Sequence, residues 1–377
     1  MYKPDFYKGK YREKYVKGGN IMNKRIKAVF LLFAMTISFV GCESSQQSSN
    51  IDLFDTQAGF DISKEYLANI KQGDISSANK LCSQELIDGS ENISEGVSEI
   101  SSYNKDYWVD GKDHTYYLFN VIRTSSVEPK SDLETYTIKV EKINDQYLIT
   151  SVKAQSKKEL YVKNKSLRIV EEEKGNSSLV VNLDSLPKDT YLSNNKIMLY
   201  KQKVPTDKFG KVALSFSGKK VAISTTDGSS NYICVVDIED SAQAMAENDA
   251  SSSNVSGSNN IEDLEELLEK PIATKVVSID LLKDITINNY IFSSKENTLA
   301  VNYSQNEKKQ FNLYNAEEGE MIGDNIKEMF DNSKYELEAV SFEGDEIKFK
   351  ATAYGEDQKA ESGEYSFNIE TQEIKKL

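Results

Sequence analysis

A single histidine stands among 377 residues. That removes most imidazole catalysis and the His-containing ligand sets of zinc sites from consideration. Three cysteines, at 42, 82 and 234, form no Cys-x-x-Cys pair and suggest no disulfide framework. The apolar run 28–40 is too short to cross a bilayer comfortably, which takes about 20 residues. Neither a phosphate-binding Gly loop nor a Gly-x-Ser-x-Gly elbow occurs. Basic residues are in deficit, 46 Lys and Arg against 60 Asp and Glu, and a formal charge of -14 disfavours a nucleic-acid-binding surface.

What is present is a chain with 38% hydrophobic and 10% aromatic residues, a composition of folded, β-rich material rather than disorder. Its length accommodates two domains with linkers. The charge is unevenly placed: residues 1–41 carry nine Lys and Arg and two acids, so the chain from Cys42 onward is near -21.

From Met22 the sequence reads MNKRIKAVFLLFAMTISFVGC, with Lys24, Arg25 and Lys27 ahead of the apolar run. A charged start, a short apolar stretch and small residues before a cut define an export signal. Phe39, Val40, Gly41 and Cys42 resemble the bacterial lipobox, with Phe39 where that family prefers Leu, Val or Ile. The resemblance implies cleavage before Cys42 and acylation of its thiol. It also implies anchorage in the lipid bilayer on the extracytoplasmic face of the cell membrane. Residues 22–41 are then a signal peptide and 42–59 a flexible tether. Residues 1–21 fit no targeting pattern, and Lys17, Gly18, Gly19 can be encoded by a purine-rich ribosome-binding string, so translation is expected to begin at Met22.

Residues 60–156 read as a small α+β domain. Ile62, Tyr66, Leu67 and Ile70 share one helical face; Gly73 interrupts, Asp74 is placed to cap a restart, and Ala78, Leu81, Cys82 and Leu86 form a second stripe. Beyond Ile100 the period becomes strand-like, with turns at Asp110, Gly111 and at Asn144, Asp145. This order, with YLANIKQGD followed by KVEKINDQYLITSV, resembles the nuclear transport factor two (SnoaL-like) cone fold. The densest aromatic cluster lies here: Tyr103, Tyr107, Trp108, Tyr116, Tyr117 and Phe119. Two readings stand side by side. Tyr103, Tyr107, Trp108 and Tyr116 line a ligand or partner groove, or the cluster is core packing, as alternation of Tyr117 and Phe119 indicates for half of it. His114 falls in the turn DGKDHT, at the surface.

Residues 158–377 contain a repeat. Val181-Asn182-Leu183-Asp184, Val236-Asp237-Ile238-Glu239, Tyr314-Asn315-Ala316-Glu317 and Phe367-Asn368-Ile369-Glu370 are each apolar, Asx, apolar, acidic. Their Asx residues are 55, 78 and 53 apart, and the long interval holds a low-complexity insertion at 241–270. Upstream of three anchors lie a Phe, a polar turn, an alternating strand, a hairpin and another strand, a four-stranded antiparallel unit. The copy before Asn182 is the weakest. The units resemble blades of TolB-like or WD-repeat β-propellers. The fold expected is therefore an α+β cone-type domain followed by an all-β propeller-like domain of about four blade-like repeats, closed as a small ring or completed by a partner.

Ser77 and Lys80 have Ser-x-x-Lys spacing but lack companion motifs, and the acid runs at 171–173 and 262–266 lack the ladder of a calcium loop. No catalytic residue, metal site or cofactor is assigned. The functional expectation is a membrane-anchored binding or scaffold module for an envelope protein or ligand. The alternatives are a hydrolase or lyase using carboxylates and Tyr, and a sensory accessory of a membrane kinase or transporter.

Overall fold

The computed structural model describes residues 54–89, 98–172, 175–191, 200–238, 269–354 and 361–377. The expected leader, Cys42 and most of the insertion lie outside the described residues.

Helix α1, Thr56–Lys71, starts where the Asp55 carboxylate accepts from the backbone N–H groups of Gln57 and Ala58 at 2.9 and 3.1 Å. It therefore begins inside the segment read as tether. Gly59 obscures this start, being a poor helix former, yet a Cβ there would strike the Tyr117 hydroxyl and the Phe54 ring. Gly73, at φ +75, ends the helical run, and Asp74 caps α2, Ile75–Lys80, by accepting from Ser77 N–H at 3.0 Å. Helix α3 is Gln84–Gly89.

Six antiparallel strands follow in chain order: β1 Ser98–Asp110, β2 His114–Ser125, β3 Lys130–Ile143, β4 Gln146–Lys163, β5 Ser166–Glu171 and β6 Ser177–Asn182. Asn144 and Asp145, at φ 50 and 63, make the tight β3–β4 turn that the sequence predicts. Leu67 of α1 packs against Tyr117, Phe119, Ile138, Val140 and Ile149, so the helices cover one face of β1–β4. A separate cone module is not seen. The helical part is confined to α1–α3, and β4 runs unbroken across residue 157 into β5 and β6. The reason is burial: Leu160, Leu167 and Ile169 belong to a core shared with the next sheet, so the chain gains by continuing rather than ending there.

After a short pair, β7 Asp189–Thr190 and β8 Gln202–Lys203, three four-stranded antiparallel sheets follow. The first holds β9 Lys208–Leu214, β10 Lys220–Thr226, β11 Ser230–Ile238 and β12 Ala273–Lys283. The second holds β13 Thr286–Phe292, β14 Thr298–Gln305, β15 Lys308–Asn315 and β16 Met321–Ile322. After α4, Asp324–Met329, the last holds β17 Tyr335–Glu343, β18 Glu346–Ala353, β19 Gly363–Asn368 and β20 Ile374–Lys376. The molecule is thus mostly β.

The repeat has an atomic basis. Leu183, Ile238, Ala316 and Ile369, each following an Asx anchor, donate their backbone N–H to Lys165, Lys219, Asn297 and Asp345 at 3.0, 2.7, 2.8 and 3.0 Å. Each acceptor follows a left-handed residue: Asn164, Gly218, Glu296 or Gly344. The third strand of every unit is thereby fastened to the turn between its first two. The weak first copy is real, formed by β4, β5 and β6. The Asx side chains themselves differ in task. Asn315 and Asn368 accept from the N–H groups that follow them, Asn182 accepts from Ser166 Oγ, and Asp237 accepts from Lys220 Nζ.

Consecutive sheets bury alternate residues of each strand on opposite sides. On β11, Tyr232, Cys234 and Val236 face the six-stranded β1–β6 sheet, while Ile233 and Val235 face the β13–β16 sheet. Ile291 and Leu313 then pack against Leu337, Phe349 and Phe367 of the last. Burial on both faces explains near-continuous apolar strands such as YICVV. The last sheet returns to the N-terminal helix: Lys64 of α1 pairs with Glu343, and Lys71 Nζ donates to the Val340 carbonyl at 2.7 Å.

Candidate functional site

The aromatic cluster is split rather than gathered. Tyr103, opposite Val121, and Trp108, opposite Tyr117, share the helix-covered face of the sheet, whereas Tyr116, opposite Val109 and Lys139, is on the other face. Tyr103 is half-buried against Phe119, its hydroxyl donates to the Lys64 carbonyl at 3.3 Å, and burial pushes its pKa up to about 12. It is packing. Tyr117 and Phe119 are wholly interior. Tyr116 stacks edge-on with His114, ring centres 5.2 Å apart. His114 is the first residue of β2 and half-buried, so it sits just past the turn rather than in it.

Tyr107, Trp108 and Val109 are 50, 46 and 51% exposed and follow one another near the end of β1, with Trp108 on the helix-covered face and Val109 on the other. Two features put them there. Among the described residues β1 is an edge strand, hydrogen-bonded only to β2. A bulge between Lys105 and Trp108 leaves Asp106 and Tyr107 with no residue opposite, which re-aims the strand end. Lys105 Nζ lies 4.5 Å above the Trp108 ring and 4.4 Å above that of Phe60. Asp110, at the tip, accepts from Thr115 Oγ1 at 3.1 Å and from Thr56 Oγ1 at 3.3 Å. Helix α1 is tied down close by: the Tyr117 hydroxyl donates to the Thr56 carbonyl at 2.7 Å, and Asp55 N–H donates to the Tyr147 hydroxyl at 2.9 Å. The exposed strand end and the first described residues of the chain are therefore neighbours.

A second convergence, which the sequence does not announce, lies where α1 and β1 meet the ends of β9, β13 and β17. Lys71, Tyr103, Phe216, Phe292 and Phe342 line a cavity with room for about one water molecule. The three Phe residues are the ones repeated before each polar turn. Burial lowers the Lys71 pKa to about 8 against the attraction of Glu338, and burial with the charge of Lys348 lowers that of Lys64. The cavity seals the junction and is too small for a substrate. Among the described residues, no group of three or more His, Cys, Asp or Glu is placed to hold a metal ion, and no helix is long and apolar enough to cross a membrane.

No protein-family model matches the chain, and no curated protein does. Solved structures similar to it include TolB from Acinetobacter baumannii, at 11% identity over 67% of this chain and 55% of that one, with a TM-score of 0.31. Another is oligopeptidase B from Trypanosoma brucei in a closed form with covalently bound antipain, at 8% identity over 85% and 51%, with a TM-score of 0.26. The chain spans about half the length of these solved structures.

Proposed function

We propose that the protein is a membrane-anchored, extracytoplasmic lipoprotein that works as a binding or scaffold module, with the end of β1 as its contact surface. In this reading Cys42 carries the lipid, residues 60–156 descend from a SnoaL-like cone, and the four β units are propeller-type blades that hold it rigidly. The observation that carries the reading is the exposed run of Tyr107, Trp108 and Val109 on a strand that is the edge of its sheet among the described residues. Exposed apolar side chains in sequence on an edge strand mark a contact site, because folded proteins otherwise protect such edges.

The test has two arms. Cells expressing the wild-type chain or a Cys42→Ser variant are fractionated, and Cys42 is sought as an acylated peptide by mass spectrometry. The wild type is expected in the membrane fraction and the variant outside it. A photo-crosslinking residue at position 107 is expected to give a defined adduct in intact cells, and one at Lys375, on the far β20 strand, none. Identical fractionation of both chains together with no adduct from position 107 overturns the reading.

A further inference from the structure

The chain length between the expected anchor and the fold constrains which surface meets the membrane. Phe54, the first described residue, is 12 positions after Cys42. Twelve residues span at most about 40 Å. A compact body of about 320 residues has a radius of gyration of about 20 Å. A tether of that length holds the lipid within about 40 Å of Phe54, so the surface around Phe54 and Thr56 is the part of the body nearest the proposed anchor. The Thr56 to Asp110 hydrogen bond places the end of β1 beside that surface, with Trp108 on the helix-covered face, Val109 on the opposite face and Tyr107 in the bulge between Lys105 and Trp108.

We infer that the end of β1 is a second membrane contact, in which Tyr107, Trp108 and Val109 enter the interfacial zone of a lipid bilayer and hold the body in one orientation. The inference rests on the proposed acylation of Cys42 and names the lipid surface as the partner of the exposed strand end. Trp and Tyr favour this zone because each joins an apolar ring to a polar group that stays wet. The backbone of an edge strand is tolerated among headgroups and water, though not in the hydrocarbon core. Lys105 holds its ammonium over the Trp108 and Phe60 rings, so a charge caps the apolar ring faces at this strand end.

The lipid chemistry follows from charge. Lys105 and Lys112 are offset by Asp106, Asp110 and Asp113, so the tip carries no basic excess and fits a zwitterionic surface rather than an anionic one. Tethering raises the effective concentration of that surface to the millimolar range, so a weak contact persists. A second copy pairing along β1 fits less well: the bulge and Lys105 disrupt the edge where another strand would dock.

Trp108 is the only tryptophan in the chain and therefore reports on its own site. The acylated full-length mature chain is mixed with phosphatidylcholine vesicles, floated, and read by fluorescence. Trp108 emission is expected to move to shorter wavelength and to be quenched by lipids brominated near the headgroup. A Tyr107→Ser, Val109→Thr double variant, altered only at exposed positions, is expected to float equally well and to lose most of the shift and quenching. Its unfolding midpoint, matched to wild type, confirms that the fold is intact.

If the wild-type chain floats and its emission is unchanged, the docking inference fails while the anchor stands. When wild type and Cys42→Ser both stay out of the vesicle fraction, the anchor reading fails and the inference falls with it. A shift that appears without vesicles and grows with protein concentration assigns the strand end to a second copy and overturns the lipid contact. Undiminished quenching in the double variant also overturns it.

Discussion

The hydroxyl of Tyr314 on β15 donates a 2.7 Å hydrogen bond to the buried carboxylate of Asp280 on β12, joining two neighbouring sheets through their core. Asn312 Nδ2 donates to the same Tyr314 oxygen at 2.8 Å, and Leu281 N–H donates to the other Asp280 oxygen at 2.8 Å. Burial and the negative charge of Asp280 both push the Tyr314 pKa well above its usual value, so the phenol stays a donor. Tyr314→Phe removes a donor from a buried charged acceptor and is expected to destabilise the fold by about 2 kcal/mol. The urea unfolding midpoint measures this. An unchanged midpoint would mean that the network adds nothing.

Glu296 occupies the left-handed turn position, at φ 58, that Gly218 and Gly344 fill in other units. Its carboxylate compensates by accepting from Ser217 N–H at 2.5 Å and Ser217 Oγ at 2.7 Å, linking one unit's turn to the next. Glu296→Ala loses these bonds and keeps the backbone strain, whereas Glu296→Gly loses the bonds but relieves the strain. The alanine variant is therefore expected to be less stable than the glycine variant by about 1 kcal/mol. Chemical denaturation of the pair decides it, and the reverse order would refute this account of the turn.

Asp132 on β3 has its pKa raised to about 6, first by burial and also by Glu159 and Glu134, while Lys130 and Arg123 pull it down. In the unfolded chain it returns near the ordinary value of about 4. A carboxyl raised in the folded state favours folding when protonated, so its contribution is fully present below pH of about 4 and is lost as pH rises through about 6. Asp132→Asn is thus expected to be more stable than wild type at pH 7, by about 2 kcal/mol, with the difference vanishing towards pH 4. Lys130 keeps its 2.6 Å ion pair with Glu159 in that variant. Melting temperatures of both proteins across this range provide the measurement.

Cys82 and Cys234 are free, half-buried and fully buried respectively. Burial pushes the Cys82 thiol up to about 11 and the Cys234 thiol up to about 12. Because the thiolate is the reactive form, iodoacetamide at pH 8 is expected to label neither at the rate of the urea-unfolded chain, with Cys234 the slower of the two. Peptide mass mapping over a time course resolves the sites. Rapid labelling of Cys234 in the native protein would contradict its burial.

Much of the β architecture is legible in the sequence because its signals are local. The Asx anchors, the Phe before each polar turn and the alternating strands report hydrogen-bond and burial periods that repeat within a few residues. The same holds for Gly73, the Asp74 cap and the Asn144, Asp145 turn, where one backbone conformation demands one residue type. The aromatic cluster shows the limit. Composition groups Tyr103, Tyr107, Trp108 and Tyr116, but the β1 register and its bulge send them to an interior, an edge and an opposite face. A one-residue change of register reverses which face a side chain occupies, and nothing within β1 alone sets its pairing with β2.

By itself the sequence determined the repeated Asx anchors, the Gly73–Asp74 break and the acidic balance, because each depends on residue type and short spacing. Only the tertiary structure decided that α1 starts at Thr56, that β4 carries one sheet across residue 157, and that the last sheet returns to α1 through Lys64 and Lys71. It alone also set the exposed end of β1 beside the chain's entry into the fold. These relationships join residues from about 50 to nearly 280 positions apart and depend on which apolar faces bury one another, a cooperative choice that no local pattern contains.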